Sequence, residues 1–176
     1  MRRLPLSPFL FPANDTAPPA PRRATPCAEH MPRPGALDMM ALGPAALFAV
    51  AAMRAWAAPL MRPDAPHPDW RQLFGLARLA PQGLVGFEVL MTILGTHAQR
   101  LIDVHCCACP SLGEDERGML RLVAAIQAGA MPDAIGVLAD WLPAEAVGPA
   151  LNGARAFAAG MVEAGLHLLP EPPTLH

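Results

Sequence analysis

The densest chemistry in this sequence is His105-Cys106-Cys107-Ala108-Cys109, an imidazole and three thiols within five consecutive residues. Both donor types suit zinc or an iron–sulfur cluster, because thiolate is soft and imidazole is borderline. The spacing fits such a site poorly. A zinc knuckle takes two ligands a few residues apart and a second such pair elsewhere, whereas Cys27 is the only other cysteine in the chain. Adjacent Cys106 and Cys107 point in different directions, so a complete metal site needs His67, His97, His167 or a second subunit. His97 lies eight residues before His105, roughly 12 Å away if a helix joins them. The alternative is that these cysteines are small buried hydrophobes at a helix terminus. A redox role would need a lowered thiol pKa near the next helix start, and Glu114, Asp115 and Glu116 oppose that effect.

Other candidates are weaker. Glu163 and His167 stand four apart, but a carboxylate-bridged di-iron bundle needs Glu-x-x-His pairs on separate helices. Glu88 sits among apolar neighbours and marks a narrow wet stripe. Phosphate-binding glycine loops, the Gly-x-Ser-x-Gly elbow and His-Glu-x-x-His are all absent. The chain has no lysine, which excludes Schiff-base chemistry.

The elements that must position these residues read as helices. Proline crowds residues 1–35, nine of the 22 in the chain. That segment reads as a disordered Pro/Arg-rich arm, and Met31, Met39 and Met40 offer alternative starts. From residue 36 proline punctuates apolar windows whose period is three to four residues. A first helix is expected at about 44–58, a proline-rich linker over 59–68, and a short helix capped by Asp69 with Leu73, Leu76 and Ala77 inward.

Next comes a spine over about 82–105, with Leu84, Phe87, Met91, Leu94 and Leu101 in one row and Val85, Val89 and Ile93 in another. A helix apolar over most of its circumference is surrounded by neighbours. Ser111 with Glu114 has capping-box spacing, and Gly129 marks the end of the helix that follows. A short helix after Pro132 should bury Ile135, Leu138 and Leu142. The last helix carries Gly153, Ala156, Gly160 and Ala164, a line of small residues that lets it pack closely on the spine.

The resulting expectation is an all-α bundle of five or six helices. A disordered arm covers 1–35, the helical domain 36–170 and a short tail 171–176. Aromatic residues make up only 5% of the chain, which predicts slender, closely packed helices rather than a core of rings. Residues 36–170 carry eight arginines against twelve acids, so a nucleic-acid backbone would be repelled. The basic, apolar start resembles an export signal in order only, since Pro5, Pro8 and Pro12 interrupt it. The run over 39–53 is too short and too rich in alanine to span a bilayer before Arg54 intervenes.

The functional expectation is a cytosolic, non-enzymatic interaction or regulatory module with an unknown protein partner or a second copy of itself. Ranked below it is a metal- or thiol-dependent protein using Cys106, Cys107, Cys109 and His105 with zinc or an iron–sulfur cluster. Peripheral membrane association through residues 44–60 ranks last.

Overall fold

The computed structural model describes residues 39–168; the expectations for the 1–35 arm and the 171–176 tail lie outside them. After a 3-10 turn at Met39–Ala41, six α-helices follow: α1 (Pro44–Met61), α2 (Trp70–Leu76), α3 (Pro81–His97), α4 (Glu114–Gln127), α5 (Met131–Trp141) and α6 (Ala144–Glu163). The fold is all-α. Proline stands in the first turn of α1, α3 and α5, where the helix loses no internal amide bond. Asp69 caps α2 as expected, its carboxylate accepting the Arg71 amide. Gly129, at φ +74°, turns the chain out of α4 in the left-handed region that glycine enters freely.

The closest contact joins α3 to α6, through glycines on both sides. A Cβ added to Gly86 would lie 2.7 Å from both the Gly153 carbonyl oxygen and the Phe157 nitrogen. One added to Gly83 would lie 3.1 Å from the Gly160 Cα. Backbone therefore meets backbone along this seam, and the expected tight packing of the last helix on the spine is realised.

Several sequence expectations change. Low aromatic content does not give a ring-free core: Phe48, Phe74, Phe87 and Phe157 cluster with Trp70, and the Phe87 and Phe157 centroids are 5.0 Å apart. Few rings suffice because they are gathered at one point. Helix α1 continues through Pro59 to Met61 instead of stopping at 58, since a proline in the last turn costs it only the bond to one carbonyl. In α2, Trp70 and Phe74 are buried while Leu76 is 82% exposed. Ile135 is exposed although Leu138 and Leu142 are buried. The spine ends at His97, and Val85 and Val89 on it are uncovered.

Candidate functional site

The segment 98–113, between α3 and α4, carries the His-Cys cluster and has no regular secondary structure. Its backbone is held by side chains, chiefly by two adjacent acids in the first turn of α4. Glu116, not Glu114, completes the helix start: its Oε2 accepts the Gly113 amide at 2.8 Å. Gly113, not Ser111, is the capping residue. The carboxylate is fully buried and faces Arg54, which reaches across from α1 and is itself 1% exposed. Arg54 donates Nε to Oε1 at 2.7 Å and Nη2 to Oε2 at 2.8 Å.

The remaining guanidinium protons go to the loop. Nη1 donates to the carbonyls of Cys109 at 2.6 Å and Cys106 at 3.3 Å, and Nη2 to that of Ser111 at 2.7 Å. Glu116 Oε1 also accepts the His105 amide at 3.0 Å. All five donors of the guanidinium and both oxygens of the carboxylate are thereby satisfied, which is the condition for burying such a pair.

Asp115 does the same work one residue earlier, toward a different arginine. Its oxygens take both Nη atoms of Arg100 at 2.8 and 2.7 Å, the Asp103 amide at 2.6 Å and the Trp141 indole at 2.8 Å. Burial alone would raise this carboxyl, but the Arg100 guanidinium, the Asp103 amide and the Trp141 indole together hold it below the usual range. Hydrogen bonds to Asp115 and then to Asp140 push Arg100 further up from its ordinary value. Sequence reading placed the helix start here, through the capping-box spacing of Ser111 with Glu114. It missed Arg54, Arg100 and Trp141 as counterparts of Asp115 and Glu116. The one available signal was an arginine at the centre of an alanine-rich helix, where only a buried acid could accommodate it.

The predicted ligands separate within this frame. Cys109 is buried, its Sγ 3.5 Å from both His105 Nδ1 and Ser111 Oγ. Cys107 is an exposed free thiol, whereas Cys106 and His105 are half-buried and Cys106 is disulfide-bonded, so it offers no thiolate to a metal. His105 Nδ1 lies 2.9 Å from the Ser111 carbonyl oxygen; a carbonyl only accepts, so Nδ1 carries the proton. It cannot then act as base toward Cys109, and the pair lacks the geometry of an activated nucleophile.

A groove of about 420 Å³ runs between these residues and the loop after α1, and His67 lines it. His67 donates Nε2 to the Arg62 carbonyl. Among the described residues no group of three or more His, Cys, Asp or Glu side chains is placed to hold a metal ion. The donor set as folded does not fit zinc or an iron–sulfur cluster. His97 bonds to Thr96 Oγ1 instead.

A second groove, of about 570 Å³, lies along the α3–α6 seam. Val85 (56% exposed) and Val89 (41% exposed) form its rim on α3. Pro149 and Asn152 form the α6 rim, and Gly86 and Gly153 the floor. No ionisable side chain lines it. Compared with family models, curated proteins and solved structures, the chain matches none.

Proposed function

We propose that this chain is a helical interaction module whose docking face is the α3–α6 groove. One observation carries the reading: on the second apolar row of α3, Val85 and Val89 stay 56% and 41% exposed, although the helix is otherwise packed as a core element. Single exposed apolar residues are ordinary on any surface. Two of them one turn apart, over a charge-free hollow, are a ridge beside a slot, and protein partners are recognised by such relief. The partner class is a protein presenting an apolar helical ridge. Nucleic acid does not suit a groove without a cation.

The other readings are less well supported. A metal- or thiol-dependent role would need Cys107 and Cys109 to meet, yet one is exposed and the other buried. Helix α1 is the one described helix long and apolar enough to cross a membrane by length and composition, and half of that window is buried. Peripheral attachment through 44–60 would have to turn out a face that holds Ala49, Val50 and Met53 in the interior and Arg54 in its ion pair. The free thiols of Cys107 and Cys109 suit a cytosolic setting, whereas the disulfide-bonded Cys106 suits an oxidising one.

The test places a photo-crosslinking residue, p-benzoylphenylalanine, at Val89 and, as comparison, at the exposed Ile135. A discrete protein adduct from position 89 and none from 135 is the expected result. Equal labelling from both positions, or none from 89, overturns the reading.

A further inference from the structure

We infer that Cys106 is bonded to Cys27, and that this disulfide is a thiol-sensitive latch holding the segment around Cys27 in the groove between the loop after α1 and residues 103–109. The chain has four cysteines. Cys107 and Cys109 are free thiols, whereas Cys106 is disulfide-bonded. Within one chain that leaves Cys27 as the partner. The path is short enough. Met39 donates its amide to the Pro110 carbonyl at 2.7 Å, so the polypeptide joins the helical domain beside the cysteine loop. Met39 is twelve positions after Cys27, an extended reach of roughly 40 Å, and Cys106 stands four positions before Pro110.

The groove suits such a segment. Cys106 lines it together with Ala58, Ala65 and Ala108, small apolar surfaces against which Pro26 and Ala28, the neighbours of Cys27, lose water. The bond is not what shapes the loop. Arg54 holds the Cys106 and Cys109 carbonyls, and Glu116 holds the His105 amide. These contacts fall on backbone atoms, so a change at the Cys106 sulfur leaves them in place. Opening the bond releases the segment and not the loop.

A small thiol of the glutathione class opens the latch by two exchanges. The first thiolate attacks one sulfur of the pair, forms a mixed disulfide there and expels the other cysteine as a thiolate. A second thiolate attacks that mixed disulfide, expels the remaining cysteine and leaves as the small-molecule disulfide. Two electrons pass from the small thiols to the cysteines, and the two expelled thiolates take up the two protons the small thiols lost. Cys106 is half-buried at the groove, and disulfides open to solvent are the readily exchanged ones. The Cys109 thiol is buried and takes no part.

Peptide mapping of the full chain, equilibrated with oxidised and reduced glutathione, tests the inference. Trypsin without reduction should yield residues 24–54 joined to residues 101–117, and fragmentation should place the bond at Cys106. Maleimide in urea should label two cysteines per chain before reduction and four after it. Cys27→Ser, kept free of glutathione, should abolish the joined peptide and retain the helical circular dichroism. Its hydrogen exchange over residues 62–68 should quicken about threefold or more, because the groove loses its cover. Four labels before reduction, separate glutathione adducts at Cys27 and Cys106, or a covalent dimer through Cys106 overturns the pairing. Unchanged exchange over residues 62–68 overturns the docking in the groove.

Discussion

Replacing Arg54 and Glu116 together is the most informative perturbation of this fold. Removing either one strands the other as a buried charge and costs about 3–5 kcal/mol. For an ordinary buried ion pair, replacing both with apolar residues of similar volume is commonly neutral or stabilising. The double variant Arg54→Met/Glu116→Leu should not recover in that way. The pair also satisfies three buried backbone groups: the carbonyls of Cys109 and Ser111 and the amide of Gly113. Each such group left without a partner costs about 1–3 kcal/mol, so the double variant should lose about 3–9 kcal/mol.

Urea unfolding followed by far-UV circular dichroism measures this. The melting temperature should fall by about 2–5 °C per kcal/mol for a domain of this size. A companion variant, Arg54→Lys, keeps the charge but loses the planar fork. Hydrogen exchange in it should accelerate at residues 105–113 while the α3–α6 seam stays protected. A double variant within about 1 kcal/mol of wild type would refute the claim that this side chain organises the loop.

Three further outcomes follow from the geometry. Gly86→Ala should destabilise by about 1–3 kcal/mol or more because its methyl meets backbone atoms, whereas Gly136→Ala, with nothing within 4 Å, should stabilise by about 0.5–1 kcal/mol through helix propensity; thermal melts separate the two. The Asp115 carboxyl is depressed in the folded state, so its contribution is fully present above the unfolded value of about 4 and is lost as pH falls through the lower folded value. Acid titration of stability should accordingly show a shallower limb for Asp115→Asn, and Trp141→Phe should move the loss to higher pH. Mass-mapped alkylation should modify Cys107 in the native protein and Cys109 only after unfolding; equal rates would place the Cys109 thiol at the surface.

Helix period and proline placement made most of this fold legible. The acid run at 114–116, Gly129 and the small-residue line of α6 each declare a local requirement, and local requirements can be read from neighbours in sequence. What could not be read depends on partners far along the chain. Ala98 and Leu101 continue the apolar row of α3, so periodicity carries the helix to 105. The structure stops it at 97 because the following backbone bonds to Trp141, Asp115, Glu116 and Arg54 instead, and Leu101 ends 92% exposed. The same limit made Arg54 look like an obstacle to a membrane span when it is the anchor of the loop. The His-Cys cluster was legible as residue types but not as a site, since burial of Cys109 and exposure of Cys107 are decided by that anchor.

Asp115 and Glu116 are neighbours, yet they bind different arginines and so fasten the two edges of one loop to a single helical turn. Successive residues of a helix differ by about 100° in direction, so the loop reads the rotational phase of α4. One residue inserted or deleted between Glu116 and Met119 would turn both carboxylates away from their cations at once while leaving the composition of the helix almost unchanged. The reading frame of a single turn thus governs whether residues 98–113 have a shape at all.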